Sequence, residues 1–309
     1  MRSWRDAPTS GCDVSIDLLT RLDECDWKAR QRAHRERVEP WVSPRRDRRR
    51  TGRAHPVDDF LFDYYPYSVG KLSTWHPGHG WVLLGEADSF LDHQDYVRTV
   101  HGVTADVTRL SAKAERLAFA ISLLERTAGR SRSLDCFGMH EWAMVYRRAA
   151  GEVRHSSYPL RLTPDDIADV VDEVGLRCTH IDAYRFFTED AVPRNAYAPT
   201  RATQPDFEQP GCLHANMDLY KYAMWFSPFV PSELVADCFE LARSARVLDM
   251  EAAPYDLVTL GYEPIRVETV EGRREYVTRQ RIVADAAQTL REHLLTALHA
   301  LAAGALDQE

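Results

Sequence analysis

No stretch of this 309-residue chain approaches the roughly 18 consecutive apolar residues that a bilayer-spanning helix requires. Its first ten residues, MRSWRDAPTS, lack the apolar core of a secretory signal. Both omissions point to a cytoplasmic protein with no membrane partner. Cysteine is sparse: the six, Cys12, Cys25, Cys136, Cys178, Cys212 and Cys238, are scattered with no CxxC pair. Neither a zinc ribbon nor a disulfide framework is indicated, and the thiols are expected to act as small buried hydrophobes. HExxH, P-loop, GxGxxG and GxSxG elements are missing, as is the HxE…PCxxC signature of zinc deaminases.

No linker rich in Pro, Gly or Ser divides the chain and no repeat is visible, so one unit able to bury a full core is expected. Charge is uneven. Residues 1–55 carry 14 Lys/Arg against 9 Asp/Glu, while the remainder carries 25 against 38. An acidic body repels a phosphate backbone, so nucleic acid could bind only through the basic run PRRDRRRTGR at 44–53. Charge runs are usually solvated, and this one reads first as a solvated or subunit-contacting arm. The division expected is a basic helical arm over 1–54 and a main helical domain over 55–309 that carries the site.

Helical periodicity dominates the pattern. Residues 13–41 read as helical. Pro56 followed by Asp58 and Asp59 marks a helix start, and a core helix is expected from a cap at Thr104 to Gly129. Thr163, Pro164, Asp165 and Asp166 open another that ends at Gly175. Further helices are expected at 211–226, at 231–247 and at 274–303; the last could pack on the core or on a second copy in a homodimer. Residues 80–85 read as a short strand, and LRCTHIDAYRFF as an extended segment with His180, Asp182 and Tyr184 on one side. The Pro-punctuated stretch 189–210 reads as a binding loop. The fold class expected is mainly α, a single compact helical domain with a few short strands.

The stretch GCLHANMDLYKYAMWF at 211–226 concentrates functional groups on a helix of about four turns. Residues four apart share a face, which sets His214 above Asp218 and Asn216 above Tyr220. Burying so many polar groups demands partners, so this helix is the expected wall of a site. Three separated stretches pair a histidine with a carboxylate: His140 with Glu141, His180 with Asp182, and His214 with Asp218. Converged, they would suit iron or another transition metal, or metal-free acid–base chemistry in which a carboxylate orients a histidine or activates water. Unconverged, each is an ordinary helix-surface neighbour. Arg161, Arg185 and Lys221 could hold an anionic substrate, and Tyr64, Tyr65 and Trp75 belong to an aromatic stretch that could line a pocket or fill the core.

The segments HPVDDFLFDYYPYS, WHPG, CFGMHEWAMVYR, CTHIDAYRFFT and CLHANMDLYKYA resemble a bacterial family, common in actinobacteria, whose members are usually labelled 3-methyladenine DNA glycosylase. The resemblance covers most of residues 27–257. It implies N-glycosidic bond cleavage, with an extruded base held by Tyr64, Tyr65 and Trp75, water activated through Asp218 or Glu141, and DNA met by the arm near residues 45–53.

The expectation is therefore an enzyme acting on a small, flat, polar molecule such as a nucleobase derivative. His214, Asp218, Glu141 and Lys221 are its catalytic candidates, and Tyr64, Tyr65, Trp75, Arg161, Arg185, Asn216 and Tyr220 its substrate contacts. The rival is a metal-dependent enzyme of the non-haem iron type with ligands among His140, His180, His214 and Asp218. A third reading is a non-catalytic DNA- or ligand-binding protein.

Overall fold

The computed structural model describes residues 19–148 and 158–306. Strand β1 (Thr20–Leu22) leads into helix α1 (Glu24–Arg50), which runs through Pro40 and Pro44 without a break. Trp27, Val38 and Val42 sink into the core, and Arg30 and Arg37 tie the helix to Glu233 and Glu240. The segment expected as a basic arm is thus packed along the body from residue 19 onward. Short helices α2 (Phe60–Tyr64) and α3 (Val69–Ser73) follow.

Three strands, β2 (Trp81–Leu83), β3 (Tyr96–Thr99) and β4 (Gly102–Ala105), join β1 in a sheet of order β1-β2-β4-β3, with β1 parallel to β2 and the other pairs antiparallel. The strand expected at 80–85 is β2. Thr104, expected as a helix cap, lies in β4 opposite Val82 and Val97, and its hydroxyl donates to Trp81 O. Its β-branched side chain suits a strand, and a partner at hand decided the matter. The helix begins later, as α4 (Ala114–Ala128), and ends at Gly129 as the sequence indicates.

Helix α5 (Met139–Val145) is buried along its whole length. It is entered through Gly138 at φ 69°, where an added Cβ would meet Ala252 and Tyr276 at 3.1 and 3.2 Å, so glycine sets how α5 is placed. Helix α6 (Pro164–Val174) has the expected Thr163 cap, accepting from Asp166 N, and the expected stop at Gly175. The extended segment expected at 176–187 is a correction: only Leu176 makes a strand-like bridge, and α7 (Ile181–Tyr184) follows, with Tyr184 N donating to His180 O. With no strand alongside 181–184 among the described residues, the backbone satisfies itself in a helical turn. His180 and Asp182 then part company instead of sharing a strand face.

After α8 (Gln204–Phe207) come the three main helices, α9 (Leu213–Trp225), α10 (Ser232–Glu251) and α11 (Val270–Leu306). Helix α9 is buried on nearly every side, packed between α10 and α11, while α4 packs on α11. Gly211 lets this centre form, because a Cβ there would lie 2.0 Å from Ser133 O. The protein is mainly α, compact, with one small sheet at its edge.

Candidate metal centre

Three histidines meet against α9. His140 from α5 sets its ring edge-on to His214 at 4.3 Å between centroids, and His214 lies nearly parallel to His180 at 5.5 Å. His140 and His180 are buried, at 8% and 0% exposure, while His214 keeps part of its surface accessible. The three stretches singled out by sequence do converge, but their carboxylate partners are rearranged.

At one end, His140 Nδ1 lies 3.4 Å from Asp249 Oδ1, and its Nε2 faces Glu141 Oε1 at 3.6 Å. One ring nitrogen of His214 completes a buried His140–His214–Asp249 group with all ligand atoms within 4.8 Å of one another. Arg246, one turn before Asp249 on α10, donates to Asp249 Oδ2 at 2.7 Å and to Glu141 Oε1 at 2.8 Å. Among the described residues Asp249 Oδ1 has no hydrogen-bond partner, although Asp249 is fully buried.

At the other end, His180 Nε2 lies 3.3 Å from Glu208 Oε1 and 3.4 Å from Asp218 Oδ2. Tyr65 donates to Asp218 Oδ1 at 2.7 Å, Lys221 donates to Asp218 Oδ2, and Gln204 donates to Glu208. Asp182 turns to Arg201 and stands 3.9 Å from Lys221. The expected His214–Asp218 pair is therefore a correction: each residue joins a different group.

Electrostatics follow this layout. Burial opposes charge on His140, but Asp249 and Glu141 outweigh it and raise its pKa to about 9. Burial, reinforced by His140 next door, pushes His214 well below the usual imidazole range. His180 is raised: burial lowers it, and the Asp218 and Glu208 carboxylates more than compensate. Asp218 moves below the usual carboxylate range because Lys221 and His180 overcome its burial, whereas burial raises Glu208.

A cavity of about 30 Å³, room for about one water, borders the first group. Its lining includes His140, His214 and Asp249 on the inner side, with exposed Arg177 and half-exposed Ser133 and Thr179 on the side toward solvent. Larger hollows of about 960 Å³ around Pro40 and His55, and about 590 Å³ around Lys71 and Trp225, contain none of the three histidines.

The remaining expected site residues are dispersed. Tyr65 and Lys221 reach Asp218, and Arg185 reaches Asp182 at 3.4 Å. Tyr64 stacks on Phe60 at 5.0 Å. Trp75 is buried beside Phe90 with its indole N–H on Glu233. Arg161 pairs with Glu268, and Asn216 is held by Arg291 and Pro210 O. Tyr220 packs among Tyr65, Tyr67 and Phe239. Asp249, Arg246 and Glu208 were not among the expected residues. A signal existed for the first two: Arg246 and Asp249 occupy core-facing positions among Ala245, Leu248 and Met250, where helical period calls for apolar residues.

Comparison with protein-family models, curated proteins and solved structures finds no match to this chain.

Proposed function

We propose that this chain is a metal-dependent enzyme of the non-haem iron type acting on a small molecule, with His140, His214 and Asp249 as the protein ligands. The observation that carries this reading is the separation at Asp249. A charged hydrogen bond between His140 and Asp249 would draw the atoms to about 2.7–2.9 Å, yet they stand 3.4 Å apart, and among the described residues Asp249 Oδ1 accepts no hydrogen bond. Ligand atoms bound to one ion at about 2.1 Å lie about 3.0 Å apart at right angles and about 3.4 Å apart at tetrahedral angles, so this separation is one that a single ion can bridge. Two imidazoles and one carboxylate, with positions left open, suit iron(II).

The surrounding residues behave as supports for ligands. Glu141 faces Nε2 of His140, which leaves the Nδ1 lone pair toward the metal position, and Arg246 holds the other oxygen of Asp249. A metal held there supplies Lewis acidity and, as iron, redox chemistry. The cavity admits a water-sized molecule, and Ser133, Arg177 and Thr179 are the more exposed residues of its lining. The N-glycosylase reading has less support, since Tyr65 and Trp75, expected to hold an extruded base, are engaged with different partners and do not line this cavity.

Elemental analysis of freshly purified protein for iron, zinc, manganese and copper tests the proposal. The expected result is bound transition metal in the wild type and one equivalent less in Asp249→Ala. Protein that stays metal-free after reducing, metal-supplemented preparation, or an Asp249→Ala variant with unchanged content, overturns it.

A further inference from the structure

The second cluster asks for its own account. Glu208 is 2% exposed and Asp218 1% exposed, so two carboxylates are buried around one imidazole. Buried charges are paired or coordinate metals. Among the described residues Asp218 has Lys221, Tyr65 and Tyr222, whereas the Glu208 carboxylate accepts from the neutral amide of Gln204 and otherwise faces His180.

His180 does not complete that set as a hydrogen-bond donor. Its Nε2 stands 3.3 and 3.4 Å from the two carboxylate oxygens and makes an aligned hydrogen bond to neither. One N–H shared between two acceptors at these distances satisfies each only weakly, whereas one metal ion can lie between all three atoms, which are within 4.8 Å of one another. Both separations are ones that a single ion bound at about 2.1 Å can bridge. Oδ2 of Asp218 accepts from Lys221 and, at 3.5 Å, from the Tyr222 hydroxyl, and an ion there would take the place of that long second contact.

We propose that His180, Glu208 and Asp218 form a second metal site, which takes a divalent first-row ion through one imidazole and two carboxylates. The oxygen-rich set favours manganese or iron(II) over copper or zinc. The His214 ring stands between the two groups, 5.5 Å from His180 and 4.3 Å from His140. The centre would then hold two ions in neighbouring residue groups that share no carboxylate. Lys221 tunes the second ion by drawing charge from Asp218, and Tyr65 fixes that carboxylate's rotation through Oδ1.

This inference extends the metal-centre reading, and its test separates the two. Chelator-stripped full-length protein is titrated anaerobically with iron(II), bound metal is counted after desalting, and folding is checked by circular dichroism. The wild type should bind two equivalents; the near-isosteric Glu208→Gln, one; Asp249→Ala, one; and the double variant, none. A wild type that saturates at one equivalent, lost in Asp249→Ala and kept in Glu208→Gln, overturns the second site and leaves the first standing. Two equivalents in Glu208→Gln also overturn it. One equivalent kept in Asp249→Ala and lost in Glu208→Gln removes the first site and leaves the second.

Discussion

Arg246 Nη1 lies 2.7 Å from Asp249 Oδ2 and 2.8 Å from Glu141 Oε1, so one guanidinium at 1% exposure holds both carboxylates that flank His140. Its ring-facing side also covers Phe60 at 3.9 Å. Removing it leaves two buried carboxylates short of their cation. Arg246→Met should cost about 3–5 kcal/mol, as breaking one side of a buried ion pair does, and urea denaturation at neutral pH measures it. The same variant should bind metal more weakly, because Asp249 loses the contact that orients it.

His140 gives the metal-stripped protein a pH dependence. Its folded pKa of about 9 lies above the ordinary imidazole value of 6.5 because Asp249 and Glu141 outweigh burial. A raised pKa means that the folded state binds the proton more tightly, so its contribution is complete below about pH 6.5 and lost as pH rises through about 9. The loss is on the order of 3 kcal/mol. Denaturation midpoints of stripped protein at pH 6, 7.5 and 9 should fall in that order. Metal-loaded protein should be flatter across the same window, since the metal takes the proton's place. Equal slopes for the two forms would place the proton elsewhere.

The arginine run of α1 is largely committed to the protein itself. Asp59, at 1% exposure, accepts from Arg48 at 2.6 Å, meets Arg45 at 3.0 Å and accepts from His55 N at 2.9 Å. Asp59→Ala should therefore destabilise by about 3 kcal/mol, whereas Arg49→Ala, on the exposed side, should change stability by less than about 0.5 kcal/mol. Thermal melts of the two variants decide it. A duplex-DNA affinity that falls in Arg49→Glu with a shallower salt slope would restore the nucleic-acid reading.

Much of the helical framework was written locally. Thr163, Pro164 and Gly175 bound α6 through capping and a left-handed stop, interactions that span only a few residues. The long pattern at the end of the chain became α11, which starts four residues earlier than its apolar period alone indicates. Errors fell where a partner distant in sequence decided the conformation. Thr104 went to a strand because Val82 and Val97 lie beside it, and 181–184 went to a helical turn because no strand among the described residues does.

The candidate centre divides in the same way. Sequence alone supplied the residue types and most of their carriers: a helix at 211–226 rich in buried polar groups, and histidines 140, 180 and 214 each beside an acid. Tertiary structure decided which acid serves which histidine. Spacing of four puts His214 and Asp218 near one another on α9, but a helix buried on nearly all sides meets different neighbours along its length. There α10 brings Asp249 to the His214 level and the end of α8 brings Glu208 to the Asp218 level. Such pairings depend on how helices far apart in sequence cross, and local periodicity carries no record of that.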